Sequence, residues 1–162
     1  MPSRVYVETS VLSYLAARPS RDLVTAARQQ LTHEWWRRRR PHFEVYISQL
    51  VLDEAGAGDR EAAARRAEFM VGLPLLDITS AAVAFARRLL AAVGLPPEAA
   101  ADALHIAIAA AHGTEYLLTW NSAHIANAEY RPRVERACRA QGHEAPVLCT
   151  PDELMGGGTS RE

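Results

Sequence analysis

The sequence predicts an α/β fold, an open and mostly parallel sheet of four to five strands with helices on both faces. Three observations predict it. Short apolar runs of strand length alternate with longer segments of helical periodicity, which is the rhythm of repeated βαβ units. Runs such as Val5-Tyr6-Val7 and Tyr116-Leu117-Leu118 are apolar at successive positions, as strands covered on both faces require. The 162 residues suffice for one domain with its own core, and no linker or internal repeat divides them. Crossovers between parallel strands are expected to be right-handed.

Residues 4–7 form the first strand, and Glu8-Thr9-Ser10 opens a helix through Val11, Leu12, Tyr14 and Leu15. Arg18-Pro19-Ser20 breaks the chain, with Ser20 as N-cap of a helix over about 21–38. Leu23, Ala27, Leu31 and Trp35 share one face of that helix at four-residue spacing. Pro41 ends it, because proline lacks the N–H donor and clashes with the preceding turn. Residues 44–47 are the second strand, and Ser48 caps a helix through Leu50, Val51 and Glu54. A turn at 56–59 leads to a helix over about 60–71, then a third strand at 75–78. Residues 80–93 are helical until Gly94 and Pro96-Pro97 stop them, and 98–112 form a helix closed by Gly113. The fourth strand spans 115–119. A short helix near 122–127 and another at 132–141 precede a fifth strand at 146–149 and a last helical turn at 151–155. Residues 1–155 thus read as a single domain and 156–162, which begin Gly156-Gly157-Gly158, as a disordered tail.

Composition narrows the function classes only partly. Eighteen basic and 19 acidic residues give a net charge of −1. The first fifty residues carry eight arginines against four acids, and residues 51–130 carry five against ten. Every basic residue is Arg and none is Lys, a uniformity that points to codon bias and carries no functional weight. No apolar run is long enough to span a bilayer, and Met1-Pro2-Ser3-Arg4 enters a strand without a hydrophobic leader. The expectation is a cytoplasmic protein with no membrane partner. Cys138 and Cys149 lack metal-ligand spacing and are expected to be reduced thiols. There is no G-x-G-x-x-G after a strand and no G-x-x-x-x-G-K-[ST], so dinucleotide and P-loop readings lose their support.

Function therefore rests on polar residues in unusual settings. Glu8 stands directly after the first strand, at a carboxyl end where open α/β sheets bind ligands. Asp102 lies in the first turn of a helix apolar on every side, Ala99 to Ala111, and such helices are buried. Buried Asp is rare unless it is paired or binds a cation, although a first-turn acid is also favoured by the helix dipole. His105 sits one turn on; it reads as a satisfied core histidine, with a ligand or a carboxylate-orienting group as alternatives. Glu54 shares a helix face with Leu50 and Val51 and points inward, whereas Asp53 points to solvent. Asn121 follows the fourth strand in Leu118-Thr119-Trp120-Asn121; alone it reads as a turn or cap residue.

Taken together, Glu8, Glu54, Asp102 and Asn121 make a candidate site for a divalent ion. Hard cations such as Mg²⁺ and Mn²⁺ prefer oxygen ligands, and crowded carboxylates repel unless a cation neutralises them. A metal held there activates water and shields a phosphodiester transition state. No Cys or Ser nucleophile with a paired base offers a covalent route.

These residues resemble the PIN-domain ribonucleases, many of which are VapC-like toxins of toxin–antitoxin pairs. The resemblance runs to about Met155. It is carried by Val5-Tyr6-Val7-Glu8-Thr9-Ser10, Ser48-Gln49-Leu50-Val51-Leu52-Asp53-Glu54, Asp102-Ala103-Leu104-His105-Ile106-Ala107 and Leu117-Leu118-Thr119-Trp120-Asn121. The family's four acidic positions fall on Glu8, Glu54, Asp102 and Asn121, and Thr119 matches the hydroxyl residue before the last. Glu8 and Asn121 both replace the usual Asp, so the site carries one negative charge fewer. The resemblance implies a PIN-like fold and RNA cleavage dependent on Mg²⁺ or Mn²⁺, with these four residues as catalytic and metal-holding groups. It also implies a homodimer and an antitoxin protein that covers the site. Arg37 to Arg40 are candidates for RNA phosphates, although a solvated basic helix end is the simpler reading. Trp35 and Trp36, beside that run, are candidates to stack on bases, although Trp35, on the apolar stripe, reads as core or dimer interface; Trp36 is left open. The rival reading is a catalytically weak or inactive PIN-like module that binds RNA or a protein partner, kept open by Asn121. An aspartyl-phosphate receiver or phosphatase ranks below both, because Glu8 stands where its Asp would be needed.

Overall fold

Val5, Tyr6 and Val7 have no exposed surface, and three successive buried residues belong to a strand covered above, below and at both edges. In the computed structural model, which describes residues 1–156, that strand is indeed the central one. The five strands are β1 (Arg4–Val7), β2 (Glu44–Ser48), β3 (Leu75–Leu76), β4 (Tyr116–Leu118) and β5 (Val147–Cys149). All pair in parallel, in the order β3-β2-β1-β4-β5. Val5 aligns with Val45 on one side and Tyr116 on the other.

The helices are α1 (Thr9–Ala16), α2 (Leu23–Glu34), α3 (Gln49–Ala55), α4 (Arg60–Met70), α5 (Ser80–Val93), α6 (Ala100–Ala111) and α7 (Arg131–Ala140). α1 packs on α2, α3 and α4, while α5 packs on α6 and α7. From β1 the chain moves outward through β2 to β3, then returns to lay β4 on the other side of β1. The strand order therefore reverses between β1 and β4, and the loops leaving these two strands frame the crevice where open α/β sheets bind ligands. No helix among the described residues is long and apolar enough to cross a membrane.

The expected α/β sheet is present, with five strands, and several local expectations need correction. Asp22, not Ser20, caps α2, accepting a hydrogen bond from the Thr25 N–H at 2.9 Å; Ser20 instead accepts from the Asp22 N–H at 3.1 Å. The apolar stripe begins outside the core, since Leu23 is 86% exposed, while Gln29 and Thr32 are buried. Those two polar groups are matched in place: Gln29 bonds the Arg18 carbonyl and Ser20 N–H, and Thr32 accepts from the Trp120 indole at 2.7 Å. The helix closes through a π-helical turn, Trp35–Arg39, and a 3₁₀ turn, Arg40–His42, that contains Pro41. No helix forms at 122–127; the Asn121 carbonyl accepts both the Ile125 and Ala126 N–H groups and closes a compact turn. β3 covers two residues, and a 3₁₀ turn, Pro97–Ala99, precedes α6. From residue 157 onward, the tail expected at 156–162 lies outside the described residues.

Cys138 and Cys149 are both buried and free. Burial, with the charge of Glu135, pushes the Cys138 thiol up from the ordinary 9.0 to about 11. Burial, with the charge of Glu153 and against that of Arg131, pushes Cys149 to about 12. At pH 8 a thiol-specific chromogenic reagent is expected to label neither cysteine in the folded protein and both after denaturation. Because the folded pKa values are raised, their stabilising contribution is complete below about 9 and is lost as pH rises through 11 to 12.

Candidate metal centre

Glu8 ends β1. Its backbone N–H still donates to the Leu118 carbonyl of β4 at 3.0 Å, which fixes the residue over the crevice. The side chain folds back to cap α1, accepting from the Ser10 N–H at 3.0 Å. The hydroxyls of Ser10 and Thr119 both donate to its Oε1 at 2.5 Å. At 6% exposure, the Glu8 carboxyl is buried and is fixed in place by three donors.

Glu54 reaches the same place from α3. Its Oε1 accepts from Thr9 Oγ1 at 2.6 Å and lies 2.6 Å from Nε2 of His105 in α6. Burial pushes the Glu54 carboxyl up, but the hydrogen bond and charge of His105 and the Thr9 hydroxyl outweigh it and leave the pKa below the ordinary 4.5. Glu54 is therefore ionised at neutral pH. Asp53 is exposed and bonded to Gln49, as expected for the solvated member of the pair.

Glu8, Glu54 and His105 come together so closely that one ligand atom from each lies within 4.8 Å of the others. Asp102 is not in that group. It sits in the first turn of α6, and its Oδ2 lies 2.8 Å from Nδ1 of His124. Asn121 connects the two parts. Its N–H donates to Thr119 Oγ1 at 2.9 Å, and its Oδ1 accepts from the His124 N–H at 3.1 Å. Asn121 thus does the work of a turn residue while joining Glu8, through Thr119, to Asp102, through His124.

His105 is the residue that sequence reasoning underrated. It is fully buried, as a core histidine would be, yet one nitrogen meets Glu54 and the other, Nδ1, meets the Tyr6 hydroxyl at 2.7 Å. Its i+3 relation to Asp102 was a signal, but it pointed toward the wrong carboxylate. Nothing in the sequence marked His124, because its partner is 22 residues away. Arg28 also went unmarked; its guanidinium lies 5.2 Å from the centre of the Trp120 ring, beside Thr119.

Arg37 to Arg40 lie elsewhere. They precede β2, at the amino edge of the sheet, opposite the edge that carries Glu8. Arg40 stacks over Trp36 at 4.7 Å and Arg39 over Phe43 at 5.4 Å. Trp35 is core. A concavity of about 700 Å³ between α7 and β5, lined in part by Arg131, Arg139 and His143, shares no residue with the acidic group.

The donor set fits a divalent cation. Two carboxylates converge, and arginine neutralises neither: among the described residues arginine ion pairs join Arg18 to Glu61 and Arg131 to Glu153. Two carboxylates with one imidazole beside them form a donor set that a divalent cation uses. A family model described as PIN domain matches residues 5–129. Among curated proteins, none matches the chain.

Proposed function

This chain belongs to the PIN-domain family, whose members are usually metal-dependent nucleases, and we propose that it is an endoribonuclease that hydrolyses RNA phosphodiester bonds with Mg²⁺ or Mn²⁺. The observation that carries this reading is the convergence of Glu8 and Glu54 at the β1/β4 switch point with no arginine partner among the described residues. Glu8 and Glu54 would hold the ion, and Asp102 and Asn121 would complete the catalytic set across the crevice. When bound there, the ion supplies a water of lowered pKa and shields the charge of the phosphodiester. Ser10 and Thr119 fix Glu8, Thr9 and His105 fix Glu54, and His124 orients Asp102. Arg28, at the same edge of the sheet, offers a cation for an RNA phosphate. The role we infer is that of the toxin of a toxin–antitoxin pair, acting as a homodimer in the cytoplasm and silenced by an antitoxin protein over the crevice.

A specific observation favours a second reading, a PIN-like module with little turnover that binds RNA or a protein partner. Asn121 brings no charge, and its side-chain oxygen is already engaged by the His124 N–H. Incubation of labelled single-stranded RNA with the protein separates the two. Cleavage is expected with Mn²⁺, none with excess chelator, and roughly 10- to 100-fold less for Asp102→Asn. Equal cleavage by the wild type and this variant, or none by either, overturns the nuclease reading.

A further inference from the structure

A chain of buried polar groups runs beneath the candidate centre, and capping and core packing do not account for it. Ser48 stands at the N-cap of α3, yet its hydroxyl makes no capping bond. It turns inward instead, 2.8 Å from the Tyr6 hydroxyl. Tyr6 lies 2.7 Å from His105 Nδ1, and His105 Nε2 lies 2.6 Å from Glu54 Oε1. Ser48, Tyr6 and His105 have no exposed surface. Three buried polar side chains, from β2, β1 and α6, are therefore linked in series, and the last of them meets the Glu54 carboxylate.

The last link of this chain has a fixed direction. An ionised carboxylate only accepts, so Nε2 of His105 carries the hydrogen that Glu54 receives. His105 Nδ1 and the Tyr6 hydroxyl share one hydrogen, and the Tyr6 and Ser48 hydroxyls share another, so the imidazole behind Glu54 is tied at both of its nitrogens. A carboxylate oxygen offers two lone-pair sites, and Thr9 and His105 fill both on Oε1. Among the described residues, no hydrogen bond is made to Oε2.

We propose that Ser48, Tyr6 and His105 form a positioning relay that fixes the Glu54 carboxylate, so that it presents Oε2 alone to the divalent ion. His105 is then a positioning residue behind a ligand, not a ligand itself. Capping is given up at Ser48 to begin the relay, and a fully buried imidazole is kept in an otherwise apolar helix to complete it. The inference rests on the metal-dependent reading above.

Calorimetric titration of the full-length protein with Mn²⁺ and with Mg²⁺ tests it. His105→Leu is expected to weaken both ions by the same factor, roughly 10- to 100-fold, as loss of a hydrogen-bonding partner behind a ligand does. His105→Gln, whose amide restores a donor near Nε2, is expected to recover most of that loss. Should His105→Leu fail to fold, Tyr6→Phe keeps the ring and removes only the hydroxyl, with roughly fivefold weaker binding expected. A preferential loss of Mn²⁺ over Mg²⁺ would make His105 a nitrogen ligand and overturn the relay, as would an imidazole nitrogen coupled directly to Mn²⁺ in spin-echo spectra. Unchanged binding in folded His105→Leu or Tyr6→Phe overturns the relay and leaves the metal site standing. No binding by the wild type overturns both.

Discussion

Glu54→Gln is expected to leave a folded protein whose Mn²⁺-dependent RNA cleavage is lower by on the order of 100-fold or more. The substitution removes one charge and almost no volume. The Gln oxygen can still accept from Thr9 Oγ1 and His105 Nε2, so the local hydrogen bonds survive. About a third of the Glu54 side chain is exposed, which spares the variant a buried unpaired group. Thermal unfolding should therefore move by only a few degrees, on the order of the effect of one hydrogen bond. Cleavage is expected to respond differently, because on the proposed reading Glu54 is an anionic ligand and the substitution removes its charge. Wild-type cleavage by Glu54→Gln would reduce Glu54 to a partner of His105 and remove it from the site. Glu8 is a poorer probe, since its three donors and near-complete burial tie it to the fold as well.

Glu8 and Glu54 were legible in the sequence because their positions are set locally. A residue just after a central strand must lie at the crevice, and one that shares a helix face with Leu50 and Val51 must point toward the sheet. The pairing of Asp102 with His124 was not legible. It depends on how the loop after β4 folds, and that loop is a turn built on the Asn121 carbonyl rather than the expected helix. Ser48 shows the same limit. Its type and place predict a cap, and only the register of β1 against β2, with Tyr6 opposite Tyr46, brings the Tyr6 hydroxyl within its reach.

The fold divides along similar lines. The succession of strands and helices along the chain followed from alternation and buried runs, and boundaries moved where proline or a cap intervened. Spacing alone misled at α2, where the four-residue stripe began at Leu23. That position lies in the first turn, before the helix reaches the core, and long-range hydrogen bonds draw Gln29 and Thr32 inside.

Trp35 is where that helix meets the core, and Trp35→Ala is expected to cost about 3–5 kcal/mol of stability. Its ring has no exposed surface and stacks on Phe43, with centroids 5.7 Å apart. Its indole N–H donates to the Leu154 carbonyl at 3.2 Å, tying the end of α2 to the last 3₁₀ turn. Alanine would leave a large cavity and an unmatched carbonyl, and the π-helical turn that begins at Trp35 gives the backbone little freedom to close it. Against a total of about 5–15 kcal/mol, this is a large fraction. For a domain of this size it corresponds to a fall in Tm of roughly 6–20 °C, read by circular dichroism. Trp36 provides the control, for it is only half-buried, packing edge-on to Phe69 at 6.0 Å beneath Arg40. Its removal loses less apolar burial and no core hydrogen bond, so Trp36→Ala should cost distinctly less. Equal losses for the two tryptophans would show that Trp35 does not anchor the helix to the sheet. In that case the amino edge would owe its order to the Arg–aromatic stacking of Arg39 and Arg40 instead.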